Sequence, residues 1–180
     1  AVQPFYRWLS SWALAVNHPS DIGYDDEGFA LPRLEIHDHV LRSEHASGTL
    51  FPELSASGIG GRLSARRASL DDRVSEVVEM VTGTPGSWIV WCGLNDESGA
   101  LAAALPDAVN VEGEDAYDDK RRSVEDFIAG RVRVLISKPK ILGFGMNFQH
   151  CHQMAFVGMS DSYEAYYQGV RRCWRFGQRH

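Results

Sequence analysis

Trp88-Ile89-Val90-Trp91-Cys92, followed at once by Gly93-Leu94-Asn95-Asp96-Glu97-Ser98, decides the fold of this chain. Five consecutive apolar residues with no polar alternation predict a short strand covered on both faces. A helix over Glu97–Leu105 follows, stopped by Pro106. The same unit recurs downstream. Val109–Val111 is a strand, Asp118–Ala129 a helix closed by Gly130, Val132–Ser137 and Met154–Val157 are strands, and Ser162–Arg175 is the last helix. Upstream, Ser69 is placed to N-cap a helix with Asp71 and Asp72 in its first turn and Leu70, Val74, Val77, Val78 and Val81 on its apolar face. Gly83, Pro85 and Gly86 stop it. Strands alternating with helices of about ten residues predict an α/β fold, a parallel sheet flanked by helices.

Before Ser69 the pattern is looser. Phe5, Trp8, Leu9, Trp12 and Val16 have the spacing of an amphipathic helix over residues 4–16. Pro19, Gly23 and Gly28 mark an acidic loop. Leu34, Ile36, Asp38 and Val40 alternate with Glu35, His37, His39 and Leu41, as in a half-exposed strand. Residues 43–68, rich in Ser, Gly and Ala, read as a mobile loop or linker. These readings divide the chain at 1–45, 46–68 and 69–180.

The formal charge of −6 taken alone argues against a basic nucleic-acid-binding module. The distribution argues otherwise. Residues 1–119 carry 7 basic and 20 acidic side chains, whereas residues 120–180 carry 11 basic and 4 acidic. The C-terminal third is therefore expected to meet an anionic partner. No run approaches the ~20 apolar residues of a membrane span, and no secretory signal pattern is present. Cys92, Cys151 and Cys173 are odd in number and far apart, without a C-x-x-C pair. They read as thiols in a reducing cytosol, with neither a disulfide framework nor a structural zinc site.

In open α/β sheets chemistry sits beyond the carboxyl ends of the strands. The richest such loop is Lys138-Pro139-Lys140-Ile141-Leu142-Gly143-Phe144-Gly145-Met146-Asn147-Phe148, whose lysines, glycines and amide suit a phosphate backbone. A bare pair of glycines is equally compatible with a simple turn. On the last helix, Tyr163, Tyr166, Tyr167, Val170, Cys173 and Trp174 project to one side and are expected to pack inward. Gln168, Arg172, Arg175 and Arg179 fall within about 60° of one another on the other side. Such a stripe is either a solvated face or a grip on phosphate oxygens. Only Glu164 dilutes it between residues 162 and 180, which favours the grip.

Tyr167-Gln168-Gly169-Val170-Arg171-Arg172-Cys173-Trp174-Arg175-Phe176-Gly177-Gln178 resembles the sixth helicase motif, Q-x-x-x-R-x-H-R-I-G-Q, of the Swi/Snf-like branch of superfamily-two helicases. Gln168, Arg172, Arg175, Gly177 and Gln178 match; Trp174 stands for the usual histidine and Phe176 for the aliphatic residue. Gly143-Phe144-Gly145-Met146-Asn147-Phe148 is similar to the fifth motif, with Lys140 at a position often basic and Leu142 replacing a frequent second glycine. Trp88–Cys92 resembles the fourth motif's strand. Glu112-Gly113, Arg121, Phe127 and Val134–Ser137 resemble the family's stretch between the fourth and fifth motifs. The likeness covers residues 69–180. Leu31-Pro32-Arg33-Leu34 looks like the segment joining two motor lobes, which makes residues 4–16 the tail of lobe one. Phage and bacterial relatives look closer than eukaryotic remodellers.

The resemblance implies a RecA-like second lobe of a two-lobed DNA translocase or helicase, in the cytoplasm of a bacterial or phage-infected cell. ATP and Mg²⁺ would be held mainly by the preceding lobe, with Arg172 and Arg175 reaching the γ-phosphate as catalytic arginine fingers. Gln168, Gly143, Gly145, Asn147 and Gln178 would line the nucleotide cleft. Ser137, Lys138, Lys140 and Asn95 would contact DNA. The only lysines, Lys120, Lys138 and Lys140, follow Asp119, Ser137 and Pro139, so no G-x-x-x-x-G-K-[ST] loop occurs. The chain reads as a fragment, opening at Ala1 and ending at His180 within the last motif, and these 180 residues alone are expected not to hydrolyse ATP.

Three other readings stay open on the residues. His37-x-His39 with His150-Cys151-His152 could bind a metal, although no ligand set converges from one element and none is assigned. The chain could be a non-catalytic nucleic-acid-binding or interaction module on the same fold. It could also belong to an RNA motor, against which the Arg175-Phe176-Gly177-Gln178 ending counts.

Overall fold

A four-stranded parallel sheet in the order β2-β3-β1-β4 organises the chain in the computed structural model, which describes residues 2–14, 16–41, 58–143 and 145–180. Its strands are β1 (Trp88–Trp91), β2 (Ala108–Asn110), β3 (Val134–Ser137) and β4 (Gln153–Phe156). β1 lies in the middle, with Ile89 opposite Leu135 of β3 on one side and Met154 of β4 on the other. Every residue of β1 and β3 is buried, as continuous apolar runs require when both faces are covered.

Alternation within the strands divides the core in two. Trp88, Val90, Val134 and Ile136 face the layer of α3 (Leu70–Gly83) and α4 (Asn95–Ala104), meeting Val74, Val77, Val81 and Leu101. Ile89, Trp91 and Leu135 face the opposite layer, where Val124 and Phe127 of α5 (Tyr117–Ile128), Leu142 of α6 (Pro139–Leu142) and Cys173 of α7 (Tyr163–Cys173) close over them. Phe148 joins this second core, its ring edge-on to Phe127 at 5.6 Å. Burying each large apolar side chain contributes roughly 1.5–3 kcal/mol, so the two layers supply the main drive for the fold. The expected α/β architecture is the observed one, with element ends from residue 69 onward within a few residues of those read from the sequence.

Several local expectations are corrected. Residues 34–41 form no strand: they lie without regular secondary structure beside α3 and β4 with Ile36 and Val40 exposed, and alternation without a pairing partner leaves no ladder. Gly58–Ala68 is a helix, α2, rather than the end of a loop; the remainder of that segment, residues 43–57, lies outside the described residues. Ser69 is not a side-chain cap. Because α2 runs directly into α3, its hydroxyl donates back to the Ala65 carbonyl at 3.0 Å and accepts from Arg73 Nε at 3.2 Å. Tyr163 and Tyr167, too, are not packed inward. They are 75% and 44% exposed and stack on each other at 6.1 Å, ring on ring rather than against the sheet.

The first helix, α1 (Val2–Leu9), is shorter than the 4–16 reading and continues as turns to Ala13. Among the described residues no helix is long and apolar enough to cross a membrane, and no group of three or more His, Cys, Asp or Glu is placed to hold a metal ion. His39 instead lies 2.8 Å from Glu76 of α3, and His152 packs against His180.

Candidate functional site

The loop after β3 and the helix α7 meet in one place. Lys138 leaves β3 extended, and Pro139 at the first position of α6 starts a single turn. The Gly143 N–H closes that turn on the Pro139 carbonyl at 2.8 Å, and a side chain at Gly143 would strike the same peptide. Gly145 holds φ +75°, a left-handed conformation that favours glycine. The next residue, Met146, presents its carbonyl to α7. Ser162 caps that helix, its Oγ accepting from Ala165 N at 3.2 Å.

Two arginines converge on that carbonyl. Arg172 Nη1 donates to Met146 O at 3.1 Å and Arg175 Nη1 at 3.2 Å. Arg172 is further fixed by Gln168, through Nε to its carbonyl at 3.0 Å and Nη2 to its Oε1 at 2.8 Å. In return Phe148 N donates to the Arg172 carbonyl at 2.9 Å, so loop and helix are tied in both directions. Neither guanidinium pairs with a carboxylate among the described residues. Partial burial, with Arg175 and Arg171 as like-charged neighbours, pulls the Arg172 pKa down, yet arginine stays charged. Two half-buried positive groups without counter-charge, held on a neutral oxygen, favour an anion such as phosphate.

A second polar group lies at the carboxyl ends of β1 and β3. Lys138 Nζ donates to Asn95 Oδ1 at the start of α4, and Lys140 is exposed on α6. Lys138 and Lys140 line a cavity of about 120 Å³ with Gly93, Gly158 and Ser160. Cys92 at its base is pushed up to about 12, by burial first and the Glu97 charge second, and stays a neutral thiol.

The remaining candidates sit elsewhere. Ser137 is buried with its hydroxyl donated to the Val111 carbonyl at 2.9 Å, so it joins β3 to the end of β2 rather than facing solvent. Gln178 is also buried. Its Nε2 donates to the carbonyls of Cys151 (2.9 Å) and Cys173 (3.3 Å), and its Oε1 accepts from the N–H groups of Arg179 and His180. Asn147 is exposed, its Oδ1 accepting from Gln149 N at 3.2 Å. Arg179 lies beyond the helix end, after Gly177 at φ +93°, and is exposed. Phe144 lies outside the described residues.

The sequence reading passed over one buried ion pair. Arg73 of α3 contacts Glu97 of α4 at 2.6 Å, with Glu97 fully buried. Glu97 Oε2 accepts from the N–H groups of Gly93 (2.7 Å) and Leu94 (3.0 Å), shaping the loop that presents Asn95. Arg73 also donates to the carbonyls of Val157 and Arg66. Gly158 leaves the space the carboxylate occupies, since a side chain there would land on it. The local signal was a glutamate three residues after a strand-ending loop, at the first turn of a helix.

The chain resembles solved structures in fold. It aligns with the C-terminal part of the Fun30 ATPase domain at 15% identity and a TM-score of 0.54, covering 62% of this chain and 38% of that one. The C-terminal domain of the DEAD-box protein Dbp5 aligns at 19% identity and 0.53, covering 60% and 66%. S. cerevisiae Dbp5 bound to RNA and ADP BeF3 aligns at 20% and 0.54, covering 60% and 30%. The aligned part thus spans less than two thirds of each. No curated protein matches the chain. The model of the helicase conserved C-terminal domain matches residues 74–177, from α3 through the arginines of α7 and beyond, and with more than half its length inside that match the chain belongs to this family.

Proposed function

We propose that this chain is the second motor lobe of an ATP-dependent DNA helicase or translocase of the Swi/Snf-like branch, and that Arg172 and Arg175 complete an ATP site whose P-loop and Mg²⁺ lie on a preceding lobe. The observation that carries the reading is their convergence on the Met146 carbonyl with no carboxylate partner among the described residues. A main-chain oxygen orients both guanidiniums but leaves their charge unspent, which is what a γ-phosphate needs in its transition state. Gln168 orients Arg172, and the Gly143–Asn147 loop carries the shared oxygen. The loop's other end begins at Lys138, so Lys138, Lys140 and Asn95 are assigned to the DNA backbone, and one loop serves both ligands. Residues 1–45 then belong to the end of lobe one and the connector, while Ser137 and Gln178 hold the lobe's own structure.

The test is nucleotide turnover by the full-length protein carrying this chain. DNA is expected to stimulate ATP hydrolysis more than RNA does, and Arg172→Ala or Arg175→Ala to lower kcat by roughly 10³-fold or more with ATP binding largely intact. Full turnover in Arg172→Ala overturns the assignment. Stimulation by RNA alone replaces DNA with RNA as the track, and turnover by residues 1–180 alone contradicts the need for a second lobe.

A further inference from the structure

Helix α7 is gripped at its C-terminal end by a segment about 140 residues away in sequence. Trp174 Nε1 donates to the Pro32 carbonyl at 2.8 Å. Two residues on, the Phe176 ring stacks on Phe29, with centroids 4.7 Å apart and planes 24° from parallel. Arg171 covers Trp174, its guanidinium carbon 5.2 Å from the ring centroid. These contacts bracket Arg175, and Trp174 lies between the two arginines that share the Met146 carbonyl.

From this arrangement we infer that residues 29–32 form a latch on the end of α7, and that Phe29, Trp174 and Phe176 are positioning residues for Arg172 and Arg175. The inference rests on the reading of those arginines as ATP-facing groups. Its physical content is local. Beyond Cys173 the chain is no longer helical, and Trp174 has ψ 81°, so ladder hydrogen bonds no longer fix Arg175 as they fix Arg172. Its own bonds, to the Met146 carbonyl and within residues 173–178, are local, and the Trp174–Pro32 hydrogen bond and the Phe29–Phe176 stack on either side tie that stretch to the rest of the chain. Both rings of the Phe29–Phe176 stack are about half exposed, at 49% and 55%, so little burial holds them and the stack yields to modest force. A displacement of residues 29–32 is therefore delivered first to residues 174–176 and to the guanidinium between them. Trp174 and Phe176 are also the two positions at which the chain departs from the sixth-motif pattern, and both departures introduce the aromatic groups that make the latch.

The latch is tested in the full-length protein by Phe29→Ala, Phe176→Ala, the double variant and Trp174→Phe, which keeps a ring under Arg171 but removes the N–H donor. Each is expected to lower nucleic-acid-stimulated kcat by about threefold to tenfold, the scale of one aromatic or hydrogen-bonded contact, with KM for ATP and nucleic-acid affinity within about twofold of wild type. The Phe29→Ala and Phe176→Ala losses are expected not to add, and Phe29→Tyr, which preserves the stack, to keep the wild-type rate. Unchanged kcat in Phe29→Ala, or additive losses in the double variant, overturns the latch while the lobe assignment stands. A wild-type protein without ATP turnover overturns both. Because Phe29 lies on an exposed segment outside both cores, its variant reads the latch even where a change at residue 176 impairs folding.

Discussion

Arg73 and Glu97 form an ion pair at 2.6 Å whose carboxylate is fully buried and whose guanidinium is mostly so. The pair joins α3 to the start of α4 and, through the Val157 carbonyl, to the end of β4. Removing one member strands the other charge away from water. Arg73→Ala is therefore expected to cost about 3–5 kcal/mol, far above the effect of an exposed pair such as Arg122–Asp119. Urea unfolding of Arg73→Ala beside Arg122→Ala checks the contrast. Equal, small losses would show that the carboxylate is solvated after all.

His150 supplies a pH dependence. Partial burial beside the Phe127 ring pulls its pKa below the usual 6.5, and a hydrogen bond with the Phe127 backbone only partly opposes this. A lowered value means that the unfolded chain takes up the proton first. The neutral ring's contribution is thus complete above about pH 6.5 and declines as pH falls toward the folded-state value. His150→Gln is expected to flatten the fall in thermal midpoint between pH 7 and pH 5. The difference between the two pH profiles isolates this residue from the other histidines, and parallel profiles would assign the dependence to them.

Lys138 and Lys140 differ in what their removal should do. Each phosphate contact contributes about one unit to the slope of log affinity against log salt, less for a single strand. Lys140→Ala is expected to reduce that slope by about one with no other consequence. Lys138→Ala additionally frees Asn95, so its affinity loss should exceed the slope change alone. Fluorescence anisotropy of the full-length protein across a salt series measures both, and an unaltered slope in either variant removes that lysine from the track.

The sheet was legible because β1 and β3 are buried on both faces, and a run such as Trp88–Cys92 has few other ways to fold. What failed depended on distant partners. Leu34–Leu41 has a strand's alternation, but pairing is a property of two segments and only one carries the pattern. α2 reads as loop because Gly58, Gly60 and Gly61 each cost about 1 kcal/mol in a helix, and the Arg73 guanidinium that ties down its Arg66 carbonyl lies in the next element. At the site, helical projection placed Gln168, Arg172 and Arg175 together. It could not separate Gln178, whose motif position matched equally well but whose amide is spent inside the chain. The same holds for Ser137: a residue at a strand's carboxyl end faces either the loop or the sheet, and the Val111 carbonyl decides.

The acceptor shared by Arg172 and Arg175 belongs to the peptide bond of Met146. No replacement of the Met146 side chain deletes it, so scanning mutagenesis across this loop would pass over the atom that aims both cations. A neighbouring position where a mutation can disturb it is Gly145, which holds a left-handed φ of +75° one residue before it. A β-branched residue there is strained at that φ, and would leave both arginines in the sequence while straining the chain that carries the point they share.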